Sequence, residues 1–130
     1  MNAPVCLFPE AVLSFHQTLL AEHGGLTGIR DQKLLDSALA RPQQKYSYTD
    51  NASFFELAAS YSFGLAKNHL FVDGNKRIAL TVAAVFLEIN GYSLNAPEAE
   101  AVLMYEQLAS GDLEEIALAN WLQDSSIPNN

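Results

Sequence analysis

A run of nine residues, from His69 to Arg77, contains the side chains of this sequence that could best do chemistry together. Their order along the chain is His69, Asp73, Gly74, Asn75, Lys76 and Arg77. The two adjacent cations fall in the first turn of a predicted helix, where the helix dipole is positive and each cation costs up to about 1 kcal/mol. Because local rules tend to be broken at functional sites, this placement indicates that an anion binds at the helix start.

A phosphate fits such a helix start best. Backbone N–H groups would point at it, Gly74 would let the backbone approach closely, and the cations would neutralise it. Asp73 could hold Mg²⁺ against phosphate oxygens, and His69 could take a proton from a hydroxyl nucleophile. A base, a metal ligand and a phosphate cradle within one short segment suit phosphoryl or nucleotidyl transfer.

A purely structural interpretation of the same residues stays open. Asp73 could be a helix N-cap, Gly74 a turn, and His69 a hydrogen-bonded histidine, while the cations could pair with acidic side chains. A metal site built on His16, His23 and His69 is less favoured, because these histidines lack the spacing of metal ligands.

The composition places these residues in an acidic, well-packed chain. It has 130 residues, 49% of them hydrophobic, with 15 acidic side chains against 7 basic ones. We expect a single domain over residues 1–130, and the negative charge argues against nucleic acid or an anionic membrane as a partner. The first eight residues lack a signal-peptide pattern, no apolar stretch approaches the ~20 residues of a membrane span, and the single cysteine excludes an internal disulfide. We therefore expect a cytoplasmic protein.

Helical spacing of apolar residues dominates the chain and predicts an all-α bundle of about six helices. The predicted helices cover residues 10–23, 31–42, 53–68, 75–90, a segment from 97 onward, and a segment from 112 past 121. Caps at Asp31 and Ser53 and a stop at Pro42 set three of these boundaries. The fourth helix is apolar on nearly every side, so we expect it to be the buried helix around which the others pack. Only residues 43–51 could be extended, and residues 125–130 are expected to fray.

The run from His69 to Arg77 resembles the signature of the Fic/Doc family, His-x-Phe-x-Asp/Glu-Gly-Asn-Gly-Arg-x-x-Arg. The matching residues are His69, Phe71, Asp73, Gly74, Asn75 and Arg77. Lys76 stands in place of the second glycine and Leu80 in place of the second arginine. Both departures are typical of the Doc branch, the death-on-curing toxins. Segments 24–31, 34–42 and 86–92 are also similar to Doc sequences, so the likeness covers nearly the whole chain.

This resemblance implies a Fic/Doc-like helical bundle with a short flap at residues 43–51. It also implies a catalytic set of His69, Asp73, Lys76 and Arg77. His69 would be the general base and Asp73 the Mg²⁺ ligand, while the phosphates of ATP would be bound by Gly74, Asn75, Lys76 and Arg77. Typical Fic enzymes transfer AMP, whereas the Doc branch holds ATP the other way round and transfers its γ-phosphate. The implied activity is a protein kinase that modifies a threonine of translation elongation factor Tu and inhibits translation.

The resemblance further implies a type II toxin–antitoxin module, with a Phd-like antitoxin whose C-terminal segment enters the cleft. Self-inhibiting Fic proteins carry a Ser/Thr-x-x-x-Glu-Gly/Asn helix, and the nearest string here, residues 110–115, ends differently. A separate antitoxin is therefore expected. An AMP transferase or a catalytically idle partner-binding domain are the alternatives.

Roles are also expected for four further residues. In the flap, Tyr46 and Tyr48 could contact the target or could only pack. Arg30 is expected to be a surface or flap-supporting charge, and Asp31 a helix cap.

Overall fold

The periodic apolar residues do fold into helices in the structure, a computed structural model that describes residues 3–129. Within these residues the helices are α1 (Pro9–His23), α2 (Gln32–Tyr48), α3 (Phe54–Lys67), α4 (Asn75–Ile89), α5 (Glu98–Ser110) and α6 (Glu115–Asp124). Two short strands, β1 (Tyr92–Leu94) and β2 (Ser126–Pro128), complete the set. The all-α prediction of about six helices is confirmed. None of the helices in residues 3–129 combines the length and apolar character that crossing a membrane requires.

Local capping residues start two of the helices as the sequence predicts. The Asp31 carboxylate accepts a hydrogen bond of 2.9 Å from the Lys33 backbone N–H at the start of α2. Ser53 and Glu56 exchange hydrogen bonds at the start of α3, which is the reciprocal capping box. The sixth helix begins later than predicted, since Glu114 rather than Asp112 occupies its cap position.

α2 is longer than predicted because Pro42 lies inside it instead of ending it. A proline in a helix interior costs about 3 kcal/mol, since it lacks an N–H and its ring clashes with the preceding turn. Tertiary contacts offset this cost. Pro42 is buried, and Glu115 of α6 forms ion pairs with Arg41 and Lys45, on either side of the proline.

The segment expected to form an extended flap, residues 43–51, is therefore helical as far as Tyr48. Tyr48 is 87% exposed and Tyr46 is 38% exposed, so neither belongs to the core. A helix satisfies its backbone hydrogen bonds internally, so residues 43–48 offer no strand edge to a target. The predicted strand-like flap is wrong for these residues.

The most enclosed helix is α3. Ten of its 14 residues are buried, against six of the 15 in α4. Helices α2, α4, α5 and α6 all pack on it. Its small residues permit this: a Cβ added at Gly64 would lie 3.1 Å from the Ala38 Cβ of α2. The prediction of a buried central helix is confirmed, but that helix is α3, and α4 keeps one face near the surface.

The C-terminal segment is ordered by pairing with a distant strand. Residues of β2 pair antiparallel with β1, and Ser93 lies opposite Ile127. The Asn129 amide also donates to the Glu88 carbonyl at 3.0 Å. The predicted fraying is therefore wrong for residues 126–129, while Asn130 lies outside the described residues.

Candidate active site

The loop between α3 and α4 carries the motif and is anchored at its centre. Leu70 and Phe71 are buried, whereas His69 and Asp73 are exposed. The Phe71 backbone N–H donates to Asn75 Oδ1 at 3.0 Å, and Asn75 Nδ2 donates to the Phe71 carbonyl at 2.9 Å. The side chain of Asn75 therefore closes the loop, and its backbone N–H is the group left for an anion at the helix start.

A second segment, the loop before α2, lies along the motif loop. Ile29 and Phe71 form an antiparallel bridge, and the Arg30 backbone N–H donates to the Leu70 carbonyl at 2.6 Å. The Arg30 guanidinium donates to the His69 carbonyl at 3.3 Å. Arg30 thus supports the motif loop and not a flap.

The carboxylate of Asp73 is oriented by the glycine-rich turn after α1. Its Oδ2 accepts a hydrogen bond of 2.8 Å from the Leu26 backbone N–H. In the part of the chain that the structure describes, Oδ1 accepts no hydrogen bond. The N-cap residue of α4 is instead Gly74, in a left-handed conformation with φ 80°, and no side chain within residues 3–129 caps the helix. The interpretation of Asp73 as an N-cap is therefore wrong.

A cleft of about 350 Å³ lies between the start of α4 and α5. It is lined by Gly74, Asn75, Lys76, Arg77, Leu80, Val102, Tyr105 and Glu106. The structure therefore brings together the four residues predicted to bind phosphate. His69 and Asp73 lie on the adjoining loop and do not line this cleft. The volume falls within the range of small-molecule pockets, about 300–1,000 Å³.

α5 supplies a wall of this cleft that the sequence did not predict. The Ser62 hydroxyl donates a hydrogen bond of 2.7 Å to the Ala79 carbonyl. The Ser62 oxygen therefore accepts a hydrogen bond from the Tyr105 hydroxyl, also at 2.7 Å. Burial raises the pKa of Tyr105, so this hydroxyl stays neutral. These bonds tie α3, α4 and α5 together beside the exposed carboxylate of Glu106. No local sequence pattern in α5 predicts that this helix forms a wall of the cleft, because that role depends on its packing against α4.

A second missed residue is His16 of α1, which lies beneath the motif loop. It is 4% exposed, its ring stacks on Phe71 with centroids 3.8 Å apart, and Nε2 lies 2.7 Å from the Asp73 carbonyl oxygen. From the sequence, His16 was only a less favoured metal-ligand candidate. One signal could have found it: His16 is four residues from both Val12 and Leu20, on the buried face of α1. A polar side chain at such a position needs a hydrogen-bond partner.

Comparison with known proteins agrees with this architecture. The profile of the Fic/DOC family matches residues 6–87, which include α1 to α3, the motif loop and most of α4. The chain therefore belongs to the Fic/DOC family. "Protein kinase doc" of Escherichia phage P1 is 34% identical over 91 residues, which are 69% of this chain and 72% of that protein. "Toxin Doc" of Mycolicibacterium smegmatis is 46% identical over 74 residues, 56% of this chain and 57% of that protein. These similarities place the chain in the Doc branch.

Proposed function

We propose that this protein is a Doc-type toxin that transfers the γ-phosphate of ATP to a hydroxyl group of a protein. The observation that carries the proposal is the cleft at the start of α4, where Lys76 and Arg77 adjoin a helix end that lacks a side-chain cap within residues 3–129. Free N–H groups, the positive end of the dipole and two cations together form a phosphate site. The names of the two relatives, a protein kinase and a toxin, support the same chemistry.

His69 is the proposed general base. It directly precedes two buried residues, so its backbone is anchored while its imidazole remains open to a substrate. Its φ of 45° lies in the left-handed region, which costs about 1–3 kcal/mol outside glycine and persists where surrounding contacts enforce it. The Arg30 guanidinium on the His69 carbonyl is one such contact. In the proposed reaction this imidazole accepts the proton of the attacking hydroxyl.

Asp73 is the proposed ligand of Mg²⁺. Within residues 3–129 no three His, Cys, Asp or Glu side chains gather as a metal cage. Mg²⁺ fits a different arrangement, one or two carboxylates with phosphate oxygens and waters, and the unengaged Oδ1 of Asp73 beside a phosphate site offers this. When bound, the ion would neutralise and orient phosphate oxygens.

The residues that depart from the Fic signature favour phosphoryl transfer over AMP transfer. Lys76 fills part of the cleft that a glycine would leave open, and Leu80 places an apolar side chain where an arginine would clamp phosphate. By the resemblance to Doc, ATP then lies in the orientation that presents its γ-phosphate. AMP transfer and a catalytically idle partner-binding domain are the competing functions.

The target and the antitoxin complete the proposal and follow from the resemblance alone. The target would be a threonine of translation elongation factor Tu in the cytoplasm, and its phosphorylation would inhibit translation. A Phd-like antitoxin, the other half of a type II module, would insert a C-terminal segment into the cleft. Neither nucleic acid nor a membrane is required.

The test is label transfer to purified elongation factor Tu from ATP labelled at the α- or the γ-phosphate, with Mg²⁺. We expect label from the γ-position only. His69→Ala should abolish it, whereas His23→Ala, which changes an exposed histidine at the end of α1, should not. Label from the α-position would establish AMP transfer instead. No label from either position would favour the partner-binding alternative.

A further inference from the structure

The Asp73–Gly74 peptide, which links the motif loop to α4, rests on a buried imidazole. His16 Nε2 lies 2.7 Å from the Asp73 carbonyl oxygen. A carbonyl only accepts, so Nε2 carries the proton and donates. The same nitrogen would lie 3.4 Å from a Cβ added at Gly74. The His16 ring also stacks nearly parallel on Phe71, at an interplanar angle of 17°.

These contacts determine how the peptide is turned. In a trans peptide the C=O and N–H groups point in opposite directions. Because the Asp73 carbonyl points at His16, the Gly74 N–H points away from α1. The orientation of this peptide also sets where the Asp73 carboxylate leaves the backbone. His16 is 4% exposed, so it contacts this turn from the protein interior and does not itself contact a substrate.

We propose that His16 is a positioning residue for phosphoryl transfer. It orients the Asp73–Gly74 peptide, and through it the Asp73 carboxylate and the phosphate-binding turn, relative to His69. This inference rests on the proposed function. The competing explanation is that His16 merely fills the core, in which case its loss would lower stability and leave the chemistry of the folded protein intact.

Two variants separate the two contacts of the imidazole. His16→Phe keeps a flat ring against Phe71 and removes the donor, whereas His16→Gln keeps a donor and removes the ring. The matched control is Val12→Ala, which removes apolar volume at a fully buried position one turn earlier on the same helix face. It should lower the melting temperature without touching the motif loop.

We expect His16→Phe to lower kcat for γ-phosphate transfer by about ten- to a hundredfold, because small misplacements of reacting groups are costly. KM for ATP should change less, and His16→Gln should recover most of kcat. Val12→Ala should keep its kcat despite a lower melting temperature. If His16→Phe keeps a kcat similar to that of Val12→Ala, or if His16→Gln is no better than His16→Phe, the positioning role is wrong.

A readout without substrate separates this inference from the proposed function. Leu26 is 67% exposed, and its backbone N–H donates to the Asp73 carboxylate, so its amide exchange reports the placement of that carboxylate. His16→Phe should accelerate this exchange, and Val12→Ala should not. If the parent protein transfers no label to the target, the proposed function is wrong. If the Leu26 amide exchanges at the same rate in His16→Phe as in the parent protein, the role of His16 is wrong.

Discussion

The backbone N–H of Leu26 donates a hydrogen bond of 2.8 Å to Oδ2 of Asp73 and so joins the turn after α1 to the loop that starts α4. The bond restrains the carboxylate and leaves its other oxygen available for the proposed Mg²⁺ ion. The two residues are far apart in sequence, and each lies on a loop. The geometry of the proposed site therefore depends on a glycine-rich turn outside the motif.

Gly25→Ala should damage the site through this turn. The added Cβ would lie 2.9 Å from Leu20 Cδ2 and 3.4 Å from Asp73 Cβ, and the φ of 127° is one that alanine rarely adopts. We expect the rate of γ-phosphate transfer to fall about tenfold, with a higher Mg²⁺ concentration at half-maximal rate. Gly24→Ala is the matched control, because φ there is also positive, 79°, but nothing lies within 4 Å. Equal losses in both variants would assign the effect to backbone strain.

Glu106→Gln should strengthen ATP binding. Glu106 lines the same cleft as Lys76 and Arg77, so its carboxylate repels a triphosphate placed there. Neutralising it should lower KM for ATP by about two- to fivefold at low ionic strength, and the gain should shrink in high salt. Glu98→Gln, at the start of the same helix and outside the cleft, should leave KM unchanged. A rise in KM for Glu106→Gln would instead mean that this carboxylate binds the nucleotide.

Ser62→Ala should destabilise the wall of the cleft. It leaves the buried Tyr105 hydroxyl without its acceptor, which we expect to cost about 1–3 kcal/mol in the free energy of unfolding. Chemical denaturation measures this cost. Adding Tyr105→Phe removes the stranded hydroxyl, so the double variant should lose less than the two single losses combined. Additive losses would show that the two hydroxyls are not coupled.

Glu115 should make stability depend on acid pH. Burial raises the pKa of Glu115, but hydrogen bonds and charges from Arg41 and Lys45 outweigh burial, and the pKa lies below its usual value of 4.5. A carboxyl whose pKa is lower in the folded state stabilises the fold above its unfolded-state pKa, and this stabilisation is lost as pH falls through the folded value. The free energy of unfolding should therefore decline below about pH 4.5.

Glu115→Gln tests this assignment by urea denaturation at a series of pH values. At pH 7 the variant should be less stable by about 1–2 kcal/mol, since the ion pairs are only partly buried. The difference from the unchanged protein should shrink as the pH falls below 4.5, because the carboxyl of the unchanged protein also becomes protonated there. A difference that stays constant with pH would show that packing and not charge is responsible.

Features set by neighbouring residues were determined by the sequence itself. The caps at Asp31 and Ser53 and the start of α4 after Gly74 depend on groups within about one turn of each other, so their residue types predict them. The motif is equally local. Its nine residues predicted a phosphate site, and Gly74, Asn75, Lys76 and Arg77 do line one cleft.

The tertiary structure alone decided what depends on distant partners. α2 continues past Pro42 because α6 supplies an ion-pairing carboxylate, and the C-terminal strand forms because β1 lies beside it. The roles of His16 and Leu26 appear only once α1 and its following turn pack under the motif loop. Local patterns record propensity within a few residues, whereas these contacts gain their free energy from burial and pairing between segments that only the folded chain brings together.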